Sequence, residues 1–472
     1  MTTTQLTTDY LIIGAGAAGM AFADTLLTDT NANIVMVDMY HKPGGHWNVA
    51  YPFVTLHQPS QYYGVSSLEL SKGGKDVTGL NKGLNHLATG DEISAYFDEV
   101  MRTRFIPSGR VQYFPKCRYT GDGKFSSLLT GEEYQVEITK KTVDTTYLQT
   151  TVPATHTPSF TVAEGMPFIP VNDLPKVSSP PEGYVIIGGG KTGIDACLWL
   201  LQNQVNPDDI RWIMPRDAWL LNRKNTQPTD EFFMDSLGTQ AAQMEAISAA
   251  SDIDDLFTRL EASGVMLRID EQVWPKMFHG ATVSELELAQ LRRIKNIVRM
   301  GRVEHIAHDK IQLQQGEIAT NSNYVHVDCS ASAIGNLVPK PIFEGNLITP
   351  QAVRSYQPVF SAALIAHVEA TDETEQQKNG ICNVVILPNH VTDWVKMAAS
   401  NMMNQYIWSR DDNMRTWLYH NRLDGFTRLS QNVKSDETEK LAVIQRMKTA
   451  AMPAMENLKK LIAQVAAAEN NA

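Results

Sequence analysis

The chain has 472 residues, 43% of them hydrophobic, and carries 41 basic against 52 acidic side chains for a formal net charge of −11. That length supports two to three domains, each with its own core, and the acidic balance excludes the basic surface that tracks nucleic-acid phosphates. No stretch of about 20 apolar residues occurs, which excludes a helical membrane span. Residues 1–8 lack the charged segment and apolar run of a signal peptide, so a cytoplasmic protein is expected.

In chain order, the first element is the apolar strand Tyr10-Leu11-Ile12-Ile13, which runs into Gly14-Ala15-Gly16-Ala17-Ala18-Gly19 and then an apolar helix pattern over residues 20–27. A strand feeding a tight glycine turn into a helix aims backbone N–H groups and the positive helix end at a pyrophosphate. The next strand, Ile34-Val35-Met36-Val37, ends at Asp38, 19 residues past Gly19, where a βαβ unit places the carboxylate that binds an adenosine ribose. A loop-rich stretch with Gly73-Gly74 and Gly79 follows, then a helix expected to start at Asp91 as N-cap. Alternating segments such as residues 134–138 suit an antiparallel meander.

Paired prolines in Val177-Ser178-Ser179-Pro180-Pro181-Glu182-Gly183 interrupt any regular structure and set a boundary between a first domain, residues 1–178, and a second, residues 179–335. The second opens on the same plan: Tyr184-Val185-Ile186-Ile187, then Gly188-Gly189-Gly190-Lys191-Thr192-Gly193. A P-loop fails here, because GxxxxGK would need glycine where Val185 stands. The strand over residues 210–214 ends at Pro215-Arg216 without an acid. A guanidinium there suits a 2′-phosphate and favours NADPH over NADH.

Helical patterns over residues 230–247 and 252–263, and another from Ser284, form an insertion at residues 225–300 that is either scaffold or the lining of a substrate cavity. After Gly335 the chain is expected to return to the first domain through residues 336–472, with Pro358 opening a helix to Ala370. Residues 436–470 read as helices interrupted at Pro453, packed on the core or on another subunit, which leaves a homo-oligomer open. The expected fold class is α/β, with two Rossmann-like dinucleotide domains, the first discontinuous, a helical insertion and a helical C-terminal region. Cys117, Cys197, Cys329 and Cys382 are scattered with no C-x-x-C, which argues against a disulfide framework and a flavin disulfide reductase. No histidine pair has i,i+4 metal spacing, and no metal is expected.

Three local motifs resemble the flavin-dependent monooxygenases that carry both FAD and NADPH, of the flavin-containing and Baeyer–Villiger types. Asp38, five residues, then Gly44-Gly45-His46-Trp47 is similar to that family's loop beside the flavin ring. Gly190-Lys191-Thr192-Gly193-Ile194-Asp195 is similar to its GxSGxD helix start, and Arg216-Asp217-Ala218-Trp219 with Arg223 resembles its stretch at the NADPH adenosine. Asp328 to Gly335 aligns with a family strand ending in Ala-Thr-Gly, but with Ile334 in place of Thr. Residues 56–64 are similar to a group of bacterial flavoproteins.

The resemblance covers roughly half the chain. It implies FAD in the first domain, NADPH in the second, and hydride transfer from NADPH to FAD. It further implies oxygenation of a small organic substrate through a C4a-(hydro)peroxyflavin formed with O2. The implied cofactor contacts are Gly14, Gly16, Ala17, Ala18, Gly19, Asp38, Gly45, His46, Trp47, His57, Gln58 and Cys117 in the first domain. In the second they are Gly188, Gly190, Lys191, Thr192, Gly193, Asp195, Arg216, Trp219, Arg223 and Gly335. Gln58 stands where the flavin-containing type has an active-site Asn, which makes it the implied catalytic residue, with a loop-ordering amide as the alternative. The helix from Pro358 would point its N-terminus at the flavin pyrimidine.

The family's Phe-x-Gly-x-x-x-His signature is absent, since residues 164–174 contain no histidine. An NADPH-dependent flavin reductase or dehydrogenase without oxygen insertion therefore stays open, as does a non-catalytic flavin redox sensor.

Overall fold

The computed structural model describes residues 3–71, 73–148, 151–331 and 337–470. Its architecture is α/β and rests on two sheets built around parallel strands. In the first, Thr4–Ile13 lies between Glu133–Asp144 and Ile34–Val37 and runs parallel to both. Tyr10, Leu11 and Ile12 are buried together, as expected of a strand covered on both faces. The helix Ala17–Asp29 covers one face. It shares an apolar core with Pro358–Glu369, Phe22 and Leu26 meeting Phe360 and Leu364. The chain thus returns to the first sheet late in sequence, and Leu347–Ile348 extends that sheet beside Glu133–Asp144.

Residues 134–138 differ in part from a simple meander. The strand Glu133–Asp144 pairs antiparallel with Lys124–Ser127 along one edge and parallel with Thr4–Ile13 along the other. The helix Gly90–Val100 is capped two residues earlier than expected, by Thr89 rather than Asp91. Thr89 and Glu92 form a reciprocal capping box that satisfies two orphan N–H groups at once, and Asp91 sits in the first turn.

The second sheet has five parallel strands in the order Ile297–Val298, Ile210–Ile213, Gly183–Ile187, Tyr324–Asp328 and Phe168–Pro170. Its last strand precedes the proline linker, so this half also draws on residues before 179. In the inserted region, helices Phe233–Ala249, Ile253–Ala262 and Glu285–Leu291 form, the last two capped by Asp252 and Ser284.

Pro453 does not interrupt the C-terminal element, which is one helix, Thr438–Asn470. Proline removes one helical hydrogen bond, but tertiary packing outweighs that loss. Ala454, Leu458 and Leu461 are buried with Ile247, Leu256 and Trp394, while Asn457 donates to the Ile247 and Ala250 carbonyls at 2.7 and 2.8 Å. Ala454, Leu458 and Leu461 therefore face this chain's own core. Among the described residues no helix is long and apolar enough to cross a membrane.

Candidate functional site

Both glycine turns close in the same way. Gly14 and Gly188 adopt φ of +97° and +130°, the left-handed side that favours glycine. A Cβ on Gly19 would lie 2.0 Å from the Gly14 carbonyl oxygen, and one on Gly193 would lie 2.0 Å from that of Gly188. Each helix that follows has a glycine N-cap, Gly16 or Gly190, and no side-chain cap, so its first N–H groups are unspent. A Cβ on Gly190 would meet nothing within 4 Å, which leaves room for a bulky anion over the second turn. Ala17, Ala18, Lys191 and Thr192 sit half-buried in the two first turns. Asp38 closes the first unit, accepting from the Ala15 and Tyr40 N–H groups at 2.6 Å each.

One loop joins the two turns. Gly45 packs so tightly on the first that an added Cβ would lie 2.9 Å from Gly16 Cα, and the Gly44 N–H donates to the Ala15 carbonyl at 2.8 Å. A few residues on, the Tyr51 hydroxyl donates to Asp195 at 2.6 Å, one helical turn past the second glycine turn. Tyr51 and Val54 are buried in the core of the second half, and Phe53 stacks on Trp199 at 5.1 Å. Tyr51 on the second half stands only six residues past Gly45 on the first turn, so this loop can stretch no further than about 20–25 Å between the two contacts. Trp47 is held inside this loop by an Nε1–H bond of 2.9 Å to the Tyr63 hydroxyl.

Asp195, expected at the coenzyme, forms a strut between the halves. It accepts from Tyr51 and pairs with Lys191, while burial raises its carboxyl above the usual range against both partners. Arg223 is also committed to protein: it is 2% exposed and donates to the carbonyls of His57 and Thr282 at 3.0 and 3.1 Å and to Asn81 at 3.2 Å. Trp219 is fully buried and stacks on Phe257 at 5.4 Å. The Cys117 thiol lies in a core with Val35, Val37 and Phe125, and only its backbone reaches the site, donating to the Asp38 carbonyl at 2.9 Å. Gly335 lies outside the described residues.

Arg216 stands past the end of Ile210–Ile213, half-buried, with neutral Asn389 as its partner at 2.9 Å. Burial and the nearby Arg302 guanidinium hold its pKa below the usual value. No local motif marks Arg302; it comes close because Ile297–Val298 pairs with Ile210–Ile213. Thr145 is a second residue without a sequence signal. Its hydroxyl is 2.7 Å from the Ile13 carbonyl and 3.1 Å from that of Gly14, which pins the first turn.

Gln58 is half-buried and its amide makes no hydrogen bond among the described residues. Burial pushes the His46 imidazole down to about 4. The unfolded chain then binds a proton that the folded chain refuses, so folding stability is lost as pH falls from about 6.5 towards 4. Thermal midpoints across that window should fall less steeply for His46→Asn than for the parent; equal slopes would remove His46 from this role.

No protein-family model matches the chain. Over 417 residues it is 47% identical to the protein described as "Uncharacterized protein Rv2000" of Mycobacterium tuberculosis, a match that covers 88% of this chain and 77% of that one. Among solved structures it is similar to cyclohexanone monooxygenase from Rhodococcus sp. Phi1 bound to NADP+, at 12% identity and a TM-score of 0.49, over 80% of this chain and 89% of that one. It is also similar to the bacillithiol disulfide reductase of Bacillus cereus, at 13% identity and a TM-score of 0.41, over 78% and 100% of the two chains. At the identity and coverage of the mycobacterial match, the chain belongs to the family that includes Rv2000.

Proposed function

We propose that this chain is an FAD- and NADPH-dependent oxidoreductase acting as a monooxygenase on a small organic substrate. The observation that carries this reading is the short loop tying one uncapped glycine turn to the other. Two dinucleotides on those turns would meet at the junction of the halves. The N–H groups around Gly14, Gly16 and Gly19 would hold the FAD pyrophosphate, with Asp38 at its ribose. Those around Gly188, Gly190 and Gly193 would hold that of NADPH, with Arg216 at the 2′-phosphate. The flavin supplies the redox chemistry, while the protein positions the reactants and excludes water. Trp47, fixed by Tyr63, walls the junction, and the unspent Gln58 amide offers a donor there.

Anaerobic titration of the purified yellow protein with NADPH should bleach it, and denaturation should release FAD. Protein that holds a single nucleotide coenzyme, or that NADPH does not bleach, would end this reading. Mixing the reduced protein with O2 then separates oxygenase from reductase. A transient absorbing species that outlasts mixing supports oxygen insertion; immediate reoxidation with peroxide supports the reductase. One observation favours the second reading. Residues 164–174, where the resembled family carries a histidine, form the strand Phe168–Pro170 and a helical turn at Val171–Lys176 without one.

A further inference from the structure

The Thr282 backbone N–H points at Nδ1 of His57 across 3.3 Å. An N–H can meet only a lone pair, so Nδ1 is unprotonated and the ring is neutral with its proton on Nε2. The surroundings act in the same direction: burial, with the Lys191 ammonium and Arg223 guanidinium nearby, pushes the imidazole well below its ordinary pKa. The carboxylates near those cations, Asp195 and Glu287, are paired with Lys191 and Arg223.

Arg223 fixes this geometry. Its Nε–H donates to the His57 carbonyl and a terminal N–H to the Thr282 carbonyl, so one guanidinium grips both partners of the imidazole contact. Glu287 anchors it from behind at 2.8 Å. The strand Met277–Val283 slips register between the partners of Trp219 and Leu221, directly before Thr282, and such bulges re-aim backbone groups beside functional sites. Nothing among the described residues accepts the Nε2–H of His57. The ring is half-buried, on the loop that runs from the first glycine turn, and close to Lys191, the residue that opens the helix after the second.

We infer that His57 is a tautomer-locked, uncharged donor whose Nε2–H binds the carboxamide oxygen of the nicotinamide coenzyme. The inference rests on the two-nucleotide reading above. A neutral donor suits a neutral carbonyl, whereas phosphate oxygens in the same cleft have the Lys191 ammonium and the helix N–H groups. Arg223 acts through His57 as a positioning residue.

Calorimetric titration of the flavin-loaded protein with NADP+ and with 2′-phospho-ADP-ribose, which lacks nicotinamide, tests this. In His57→Asn the amide can still accept from Thr282 but is too short to donate where Nε2 did. It should weaken NADP+ roughly five- to tenfold and leave 2′-phospho-ADP-ribose unchanged. His57→Gln, which reaches further, should recover most of the loss. Nitrogen NMR of the wild-type imidazole should show the Nε2–H tautomer throughout about pH 5 to 8, and this readout stands even where a variant fails to fold. Unchanged NADP+ affinity, equal loss of both ligands, or an imidazolium in that range would overturn the assignment. Wild-type protein that binds neither ligand would overturn the two-nucleotide reading, and this one with it.

Discussion

Gly19→Ala should yield colourless protein, whereas Gly193→Ala should stay yellow and no longer be bleached by NADPH. Either methyl would sit 2.0 Å from a backbone carbonyl oxygen, that of Gly14 or Gly188, which no side-chain rotation relieves. In the second turn the Trp212 indole N–H also holds the Gly188 carbonyl at 2.8 Å, so the carbonyl cannot swing aside without breaking that bond. The helix start must move instead, taking the phosphate-facing N–H groups with it. Overpacking of this kind costs about 1–3 kcal/mol of stability, and misaimed donors should weaken the affected coenzyme on the order of a hundredfold or more. Flavin absorbance per protein and anaerobic NADPH titration separate the two sites, with circular dichroism to confirm folding. Full flavin content in Gly19→Ala, or normal bleaching of Gly193→Ala, would reassign the turns.

What the sequence made legible was local. Each glycine turn needs only its own strand and helix, so the two units, Asp38 at the second strand's end and the helices starting near Asp252 and Ser284 could be read from neighbouring residues. Distant packing decided the rest. Arg223 and Trp219 lie in a stretch that looks like a coenzyme contact, yet Thr282, Glu287 and Phe257, tens of residues away, claim them. Pro453 reads as a helix break until Ile247 and Ala250 supply carbonyls for Asn457 beside it. Tyr51 bears no motif, and its partner is set by how the two halves meet. Phe168–Pro170 joins the second sheet across a proline linker because Tyr324–Asp328 leaves an open edge there, an edge visible only once the strands are ordered.

Arg216→Ala should weaken NADPH by about 1.5–3 kcal/mol, roughly ten- to a hundredfold, and change NADH little. The guanidinium's side-chain partner is the neutral amide of Asn389, which His279 also contacts at 2.8 Å, so no carboxylate cancels its charge. Arg302 crowds it from the segment that follows the neighbouring strand, and burial together with the repulsion of the two cations disfavours the charged form of Arg216. A phosphate near −2 placed between them would relieve that repulsion and gain from both. Two consequences distinguish this arrangement from a solvated arginine. Arg302→Ala should also discriminate against NADPH, less strongly, because Arg302 is exposed and its field is screened. KM for NADPH should rise with ionic strength more steeply than KM for NADH, and that difference should shrink in either variant. Equal effects of Arg216→Ala on the two coenzymes would leave the 2′-phosphate without a partner at this strand end and remove the charge argument for NADPH.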